Sequence, residues 1–302
     1  MSDSLPIIEN KNLAEFTSWK VGGAAQYYCA PRSIDELKQA LIWAEQNQQP
    51  VTLLGGGTNV LVSDQGVQGL LIHTLDYTGI SSRIEGDLFI VEALGGTQKS
   101  EVLKEFIKQR LRPAIFLAGL PGDMAGGVVM NAGVGHDVSP KEFCDIIYSV
   151  DVLELKKDGQ FEEKHFKKEE IAWSYRKSKN WQPGVITKVS VAWPNEPDDQ
   201  VLKEVREGNA RRKSTQPLNF PSCGSVFKNP EGAHSGALIE KAGLKGFKVG
   251  DAQVSEKHAN FIVNCGKATA TDIDQLIKSV QKTVKDKFQI NLTNEVVYLG
   301  QW

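Results

Sequence analysis

The sequence has few cysteines and histidines, and neither type is grouped. Its 302 residues include five histidines and four cysteines, which are Cys29, Cys144, Cys223 and Cys265. None forms a C-x-x-C pair or shows the Cys/His spacing of a zinc site. This scatter favours reduced thiols in a cytoplasm over a disulfide framework, and it predicts no bound metal.

The sequence also shows no signal-peptide pattern, no membrane-length apolar run and no excess of charge of one sign. The first twelve residues, MSDSLPIIENKN, are polar and contain no apolar h-region. No apolar run approaches the length of a membrane span. The net charge of -2 provides no general attraction to nucleic acid or to an anionic membrane. We therefore expect a cytoplasmic protein with small-molecule partners, no nucleic acid and no membrane; the oligomeric state stays open.

Composition is otherwise that of a soluble globular protein, with 40% hydrophobic and 24% charged residues. A chain of this length can form two or three domains, each with its own core. A polar, proline-bearing stretch at residues 194–199 marks one candidate boundary.

Residues 53–64, LLGGGTNVLVSD, form the most unusual stretch. Three consecutive glycines allow positive φ and expose several N–H groups at one point, which suits a phosphate or pyrophosphate. The stretch is neither a G-x-G-x-x-G fingerprint opening a helix nor a Walker loop ending in Gly-Lys-Ser/Thr. A tight turn between two strands explains three glycines equally well, so the pattern alone leaves both interpretations open.

A second glycine-rich stretch covers residues 116–133, FLAGLPGDMAGGVVMNAG. Glycine inside an element costs roughly 0.5–1 kcal/mol, so two such stretches favour a functional reason over plain connections. Ahead of the first stretch, Ser33 and Glu36 predict a capping box for a helix that leads to a strand at residues 50–54. Further along, we predict a long amphipathic helix capped by Thr271 and a closing strand that begins at Glu295.

Six ordered motifs resemble the UDP-N-acetylenolpyruvoylglucosamine reductases, flavoenzymes of bacterial cell-wall synthesis. They are LGGGTNVLVSD, AGLPGDMAGGVVMNAG, SYRKS, RRKSTQPLNFPSCGSVFKNP, AGLKGFKVGDAQVSEKHANFIVN and LTNEVVYLG. Their order and spacing cover about residues 17–300. The length and the Tyr175-Arg176 context resemble the shorter, type II form of the family, which lacks an inserted tyrosine-bearing loop.

The resemblance implies an α+β fold: an FAD-binding domain of the vanillyl-alcohol-oxidase (PCMH) type, made of two α+β subdomains, and a C-terminal α+β substrate-binding domain. The expected limits are residues 1–72 and 73–196 for the subdomains and 197–302 for the last domain. Non-covalent FAD is expected, its pyrophosphate held by Gly55, Gly56, Gly57, Thr58 and Asn59. The rest of the cofactor would be lined by Pro121, Gly122, Gly126, Gly127, Asn131, Ala132 and Gly133.

The implied reaction is the NADPH-dependent reduction of UDP-N-acetylglucosamine enolpyruvate to UDP-N-acetylmuramate. The family pattern places a catalytic arginine at Arg176, a proton-donating serine at Ser225 and a catalytic glutamate at Glu295. An arginine suits the developing enolate because its charge is permanent and its geometry bidentate. Glu295 either orients the substrate carboxylate with Arg176 or acts as an acid. The substrate-binding candidates are Tyr175, Gln216, Lys228 and Asn229.

Two departures from the family pattern stand out. Asp123 occupies a position where the family often has a hydroxyl residue beside the FAD phosphates, so we expect its side chain to face away or only its backbone to contribute. Thr293-Asn294 precedes Glu295 in place of a commoner Glu-Pro. Two other functions remain to be distinguished: an alcohol oxidase or dehydrogenase of the same flavin fold, and a non-catalytic flavin or nucleotide-sugar binding protein.

Overall fold

A computed structural model describes residues 5–134 and 138–302 of the chain. These residues fold into two compact units. The first unit contains the described residues up to Ile8 together with Tyr28–Gly56 and Leu70–Ala210; the second contains Glu9–Tyr27, Gly57–Gly69 and Arg211–Trp302. The division into three domains expected from the sequence stays a prediction.

Strands and helices follow one another in separate runs along the described residues. The helices are α1 (Ile34–Gln46), α2 (Lys99–Lys108), α3 (Pro113–Leu117), α4 (Met124–Val129), α5 (Phe143–Ile146), α6 (Val201–Thr215), α7 (Ser235–Lys241) and α8 (Ala270–Phe288). The strands are β1 (Ile8–Asn12), β2 (Ala24–Cys29), β3 (Val51–Leu54), β4 (Val60–Val62), β5 (Val67–His73), β6 (Ile80–Glu85), β7 (Leu88–Leu94), β8 (Ile147–Leu155), β9 (Phe161–Lys167), β10 (Ala172–Ser174), β11 (Lys177–Lys179), β12 (Val185–Pro194), β13 (Lys248–Val249), β14 (Ala252–Val254), β15 (Ile262–Asn264) and β16 (Val297–Leu299).

Helix α1 begins where the sequence predicts, directly after Ser33. The Ser33 hydroxyl accepts a hydrogen bond from the Glu36 N–H, which satisfies one of the unpaired donors of the first turn. The Glu36 carboxylate accepts from the backbone N–H of Arg32 at 2.7 Å, one residue before the cap. Strand β3 follows and pairs in parallel with Leu70–His73 of β5, which brings the chain to the first glycine stretch.

A five-stranded sheet of order β6-β7-β12-β8-β9 forms the main layer of the first unit. All its pairings are antiparallel, and β-branched residues face each other in the middle, as in Val91 opposite Val191. Fully buried aromatic side chains of the short helices complete the core beside this sheet, among them Phe106, Phe116 and Phe143. Burial of each such side chain contributes about 1.5–3 kcal/mol, so the core holds the helices that carry the second glycine stretch.

Helix α8 forms the core of the second unit with the three-stranded sheet β13-β14-β15. Its buried stripe contains Ile273, Leu276, Ile277, Val280 and Val284, as the amphipathic pattern predicts. The predicted cap at Thr271 is wrong. Thr269 caps the helix by accepting from the Asp272 N–H, while Asp64 accepts from the backbone N–H and the hydroxyl of Thr271.

The closing strand is shorter than predicted, because β16 begins at Val297 and pairs in parallel with β4. Glu295 precedes it and pairs elsewhere, through its N–H to the carbonyl of Val226 at 2.8 Å. Among residues 5–134 and 138–302, no helix is long and apolar enough to cross a membrane. The same residues contain no group of three or more His, Cys, Asp or Glu side chains placed to hold a metal ion.

Candidate functional site

The first glycine stretch connects β3 to β4, and its glycines are required by contacts within the protein. A Cβ atom on Gly55 would lie 2.3 Å from Oδ2 of Asp123, and one on Gly56 would lie 3.1 Å from Cα of Gly122. Gly57 has a φ of +62°, and its Cβ would lie 2.0 Å from the carbonyl oxygen of Phe16. Gly55 and Gly57 therefore leave no space for a side chain, whereas a Cβ on Gly56 would be tight.

Gly55 and Gly56 belong to the first unit, whereas Gly57, Thr58 and Asn59 belong to the second. Within the second unit Asn59 is held on both sides. Its side-chain amide donates to the carbonyl of Glu295 at 3.1 Å, and its own carbonyl accepts from the N–H of Val297 at 3.0 Å. Asn59 therefore ties the stretch to the segment that carries Glu295.

The second glycine stretch turns at Gly122, which has a φ of +85°, and enters α4 at Asp123. Asp123 does not face away as expected from the sequence. One carboxylate oxygen accepts from the N–H of Gly126, which caps α4, and the other accepts from the N–H of Gly56, both at 2.7 Å. The Asp123 side chain therefore joins the two glycine stretches inside the first unit.

The end of this stretch packs against the protein. Gly127 lies under Phe143, where a Cβ would come within 2.3 Å of the ring. Asn131 is fully buried; its side chain donates to Glu142 at 3.0 Å and to the carbonyl of Ser174 at 3.1 Å. These contacts within the protein account for the end of the motif, because Asn131 donates to Ser174 of the β10–β11 hairpin. Ala132 and Gly133, the other two predicted cofactor residues here, follow Asn131 directly in the chain.

The geometry of the first unit fits the pyrophosphate of a dinucleotide. Two glycine backbones lie close together, at Gly56 and Gly122. Backbone N–H groups are the donors that phosphate prefers in such loops, and two of them, those of Gly56 and Gly126, already donate to Asp123. Pro121 lies exposed beside Gly122. The added feature is the negative charge of Asp123 in the middle of this arrangement.

Arg176 lies at the turn of the β10–β11 hairpin, where Ser174 pairs with Lys177. Its φ is +57°, a left-handed conformation that a non-glycine residue rarely adopts and that functional sites often retain. The guanidinium is mostly buried, with 12% of the side chain exposed. It donates to the carbonyl of Gly133 at 3.0 Å and stacks over the ring of Tyr175 at 4.8 Å.

Glu142 is a functional candidate that the sequence interpretation missed. Its Oε1 lies 3.7 Å from Nη1 of Arg176, and its Oε2 accepts from Asn131. The pairing of Gly133 with Glu142 as an isolated β-bridge holds the carboxylate beside the guanidinium. No local motif marks this residue, since it lies 34 positions before its partner in the sequence.

Ser225 and Glu295 lie on adjacent backbone segments of the second unit. Ser225 pairs with Phe261 and Phe227 pairs with Asn294 as isolated β-bridges. The carbonyl of Val226 accepts from the N–H of Glu295 at 2.8 Å. Ser225 and Glu295 are both half-buried. The structure therefore brings together two of the three predicted catalytic residues within one unit, while Arg176 belongs to the other.

Asn260 holds the serine-bearing segment in place and was also missed. Its side chain accepts from the N–H of Phe227 at 3.0 Å and donates to the carbonyl of Phe227 at 2.8 Å. Its backbone carbonyl accepts from the N–H of Val226 at 2.8 Å. This residue lies in the motif EKHANFIVN, so the sequence contained a signal for it. The sequence did not show that Asn260 would pair with Phe227.

The predicted substrate-binding residues occupy different surroundings. Tyr175 is exposed and lies under Arg176. The side-chain oxygen of Asn229 accepts from the N–H of Ser235 at the start of α7, at 3.0 Å. Lys228 is half-buried and its N–H donates to Thr293. Gln216 follows α6 and accepts from the guanidinium of Arg212 at 3.3 Å.

Two family models match the chain. An FAD binding domain matches residues 25–163, and the C-terminal domain of UDP-N-acetylenolpyruvoylglucosamine reductase matches residues 216–299. The first contains both glycine stretches; the second contains Ser225 and Glu295.

Relatives resemble the chain over nearly its whole length. UDP-N-acetylenolpyruvoylglucosamine reductase of Parasynechococcus marenigrum is 39% identical over 99% of this chain and 98% of its own. The protein of the same name from Synechococcus elongatus is 40% identical over 96% of this chain and 93% of its own. The crystal structure of the Thermus caldophilus reductase is 30% identical, covers 98% of both chains and superposes with a TM-score of 0.76.

Proposed function

The chain belongs to the UDP-N-acetylenolpyruvoylglucosamine reductase family of FAD-binding oxidoreductases, and we propose from this premise that it reduces UDP-N-acetylglucosamine enolpyruvate to UDP-N-acetylmuramate with NADPH. One observation carries the proposal. The similarity to reductases of that name runs over 99% of the chain, through both the FAD-binding part and the C-terminal part. We place the reaction in the cytoplasm, within peptidoglycan precursor synthesis.

Bound FAD would supply the hydride chemistry, from N5 to C3 of the enolpyruvyl group. We propose that Gly55 to Asn59 and the segment from Pro121 to Gly133 hold this cofactor. The match of an FAD binding domain to residues 25–163, which contain both glycine stretches, supports that assignment.

Arg176 is proposed to stabilise the negative charge that develops over C2 and the carboxylate of the substrate. Its guanidinium is fixed by the carbonyl of Gly133, the ring of Tyr175 and the carboxylate of Glu142. A cation held in place before the reaction stabilises the transition state without paying for its own reorganisation. The bidentate shape of the guanidinium matches a carboxylate.

Ser225 is proposed to donate the proton that C2 requires after hydride arrives at C3. The carbon of an enolate is basic enough to take a proton from a hydroxyl when neighbouring donors stabilise the resulting oxyanion. Glu295 is proposed to act on the same enolate or its carboxylate, and its backbone is fixed to Val226 and Asn59. Tyr175, Gln216, Lys228 and Asn229 are proposed to bind the UDP-sugar.

The test is the visible spectrum of the purified protein without oxygen, on adding NADPH and then the enolpyruvyl substrate. Flavin absorbance that bleaches with NADPH and returns only with this substrate supports both half-reactions. A protein that cannot be loaded with FAD contradicts the proposal. Turnover with an alcohol and oxygen instead identifies an oxidase of the same fold, and ligand binding without hydride transfer identifies a non-catalytic protein.

Ser225→Ala tests the proton donor. We expect flavin reduction by NADPH to continue unchanged and substrate reduction to slow by about 10²-fold, the usual contribution of one positioned acid. Ser222→Ala, three residues earlier in the same segment, is the matched control and should retain both rates. An equal loss in both half-reactions of the Ser225 variant contradicts the assigned role.

A further inference from the structure

A buried lysine lies next to the second glycine stretch, and the proposed reaction does not use it. Lys99 is the first residue of α2, and its side chain is 4% exposed. The backbone brings it beside Asp123: Gln98 pairs with Asp123 as a β-bridge, and the N–H of Lys99 donates to the carbonyl of Gly122 at 2.9 Å. Two oppositely charged residues are thus buried at neighbouring positions of one unit.

Burial makes the position of Lys99 costly for a cation, although two contacts favour its charge. Its ammonium donates to the carbonyl of Pro121 at 2.8 Å and lies 5.5 Å from the ring centre of Phe143. It also begins a helix, where the dipole repels positive charge. Burial lowers the pKa of Lys99 to about 8, and the negative charge of Asp123 opposes that shift. An anion nearby stabilises a buried ammonium, because an unpaired buried charge is costly.

The surroundings of Asp123 are those of a connecting residue. Asp123 is 4% exposed, and its carboxylate accepts from one N–H of each glycine stretch, those of Gly56 and Gly126. These are charge-assisted hydrogen bonds, which are stronger than bonds between neutral groups. A dinucleotide pyrophosphate bound at the same stretches would bring further negative charge beside this carboxylate, and the two would repel each other.

We propose that Asp123 and Lys99 form a charge-compensated clamp, in which Asp123 joins the two glycine stretches before the cofactor arrives and Lys99 supplies the positive charge that lets a pyrophosphate bind beside a carboxylate. The inference rests on the proposed function, because it takes FAD to be the dinucleotide that binds. Lys99 and Asp123 are positioning residues here, because their effect on the cofactor acts through the glycine backbone and through charge.

The test is a double-mutant cycle on the affinity of the flavin-free, full-length protein for FAD, with Lys99→Met, Asp123→Asn and both together. Methionine keeps the length of the lysine stem without its charge. We expect Lys99→Met to weaken FAD binding by about tenfold, because it leaves Asp123 uncompensated beside the pyrophosphate. In the Lys99→Met background, adding Asp123→Asn should then raise the affinity for FAD by at least threefold.

Two further measurements separate charge from folding. Asp123→Asn should lower the melting temperature of the flavin-free protein by about 2 °C or more, because asparagine accepts through only one oxygen and so releases one glycine stretch. Lys104→Met, an exposed lysine of α2 paired with Glu101, is the matched control and should leave FAD affinity within twofold of wild type.

The outcomes distinguish this inference from the proposed function. A wild-type protein that does not bind FAD refutes the proposed function. FAD binding that Lys99→Met weakens by less than threefold refutes the role of Lys99. If Asp123→Asn changes FAD affinity by the same factor in the wild-type and Lys99→Met backgrounds, the coupling between the two residues is refuted. An unchanged melting temperature of the flavin-free Asp123→Asn variant refutes the clamp.

Discussion

Replacing Asn260 by alanine should destabilise the second unit strongly, because this side chain satisfies both backbone groups of a buried residue. Phe227 is 1% exposed, and its N–H and carbonyl bond the Asn260 side chain at 3.0 and 2.8 Å. Each buried group left without a partner costs about 1–3 kcal/mol. Two such groups predict a loss of about 2–6 kcal/mol of unfolding free energy, a large fraction of the 5–15 kcal/mol typical of a folded domain.

The assay is urea unfolding followed by tryptophan fluorescence, to which Trp19, fully buried in the same unit, contributes. Asn260→Asp should also destabilise, because it keeps an acceptor for the N–H of Phe227 but turns a second oxygen toward its carbonyl. Asn291→Ala, at an exposed position of the same unit, should change the free energy by less than about 0.5 kcal/mol. A loss below about 1 kcal/mol for Asn260→Ala would refute the reasoning.

A functional consequence follows from the position of Ser225, two residues before Phe227. Since Asn260 fixes the segment that carries this serine, a folded Asn260 variant should lose substrate reduction to a greater extent than reduction of its flavin by NADPH. The two half-reactions can be compared in the same anaerobic spectra. An equal loss in both would show that the residue acts only on stability.

Two further predictions concern packing and thiol chemistry. Gly127→Ala should destabilise the first unit by about 1–3 kcal/mol in urea unfolding, because its Cβ would lie 2.3 Å from the ring of Phe143. The same substitution should cost less free energy of unfolding in a Phe143→Leu background. An equal cost in both backgrounds would contradict the clash. Burial raises the pKa of both Cys29 and Cys223 to about 12, so at pH 8 they carry almost no thiolate. Burial also raises the pKa of Cys144, the other half-buried thiol, to about 11. Iodoacetamide should therefore modify half-buried Cys265 first in the native protein, as peptide mass spectrometry would show, and early labelling of Cys223 would contradict the burial.

Much of the candidate site could be recognised from the sequence because its motifs are continuous. The two glycine stretches, the turn that carries Arg176 and the segment around Ser225 each lie within a few consecutive residues. The family membership that these motifs indicated is confirmed by full-length relatives. The roles of the individual residues stay predictions, since hydride and proton transfer require a bound cofactor and substrate.

The sequence by itself determined features that depend on neighbours along the chain, such as the Ser33 cap of α1, the apolar stripe of α8 and the glycine turns. Short-range hydrogen bonds and helical periodicity need only a few residues to be specified. The tertiary structure decided which distant groups meet. Asp123 turns toward Gly56 across 67 residues, and Thr271 binds Asp64 across 207. Buried polar groups must form hydrogen bonds, and in these two cases the partner lies far away in the sequence. No local pattern indicates which distant residue it is.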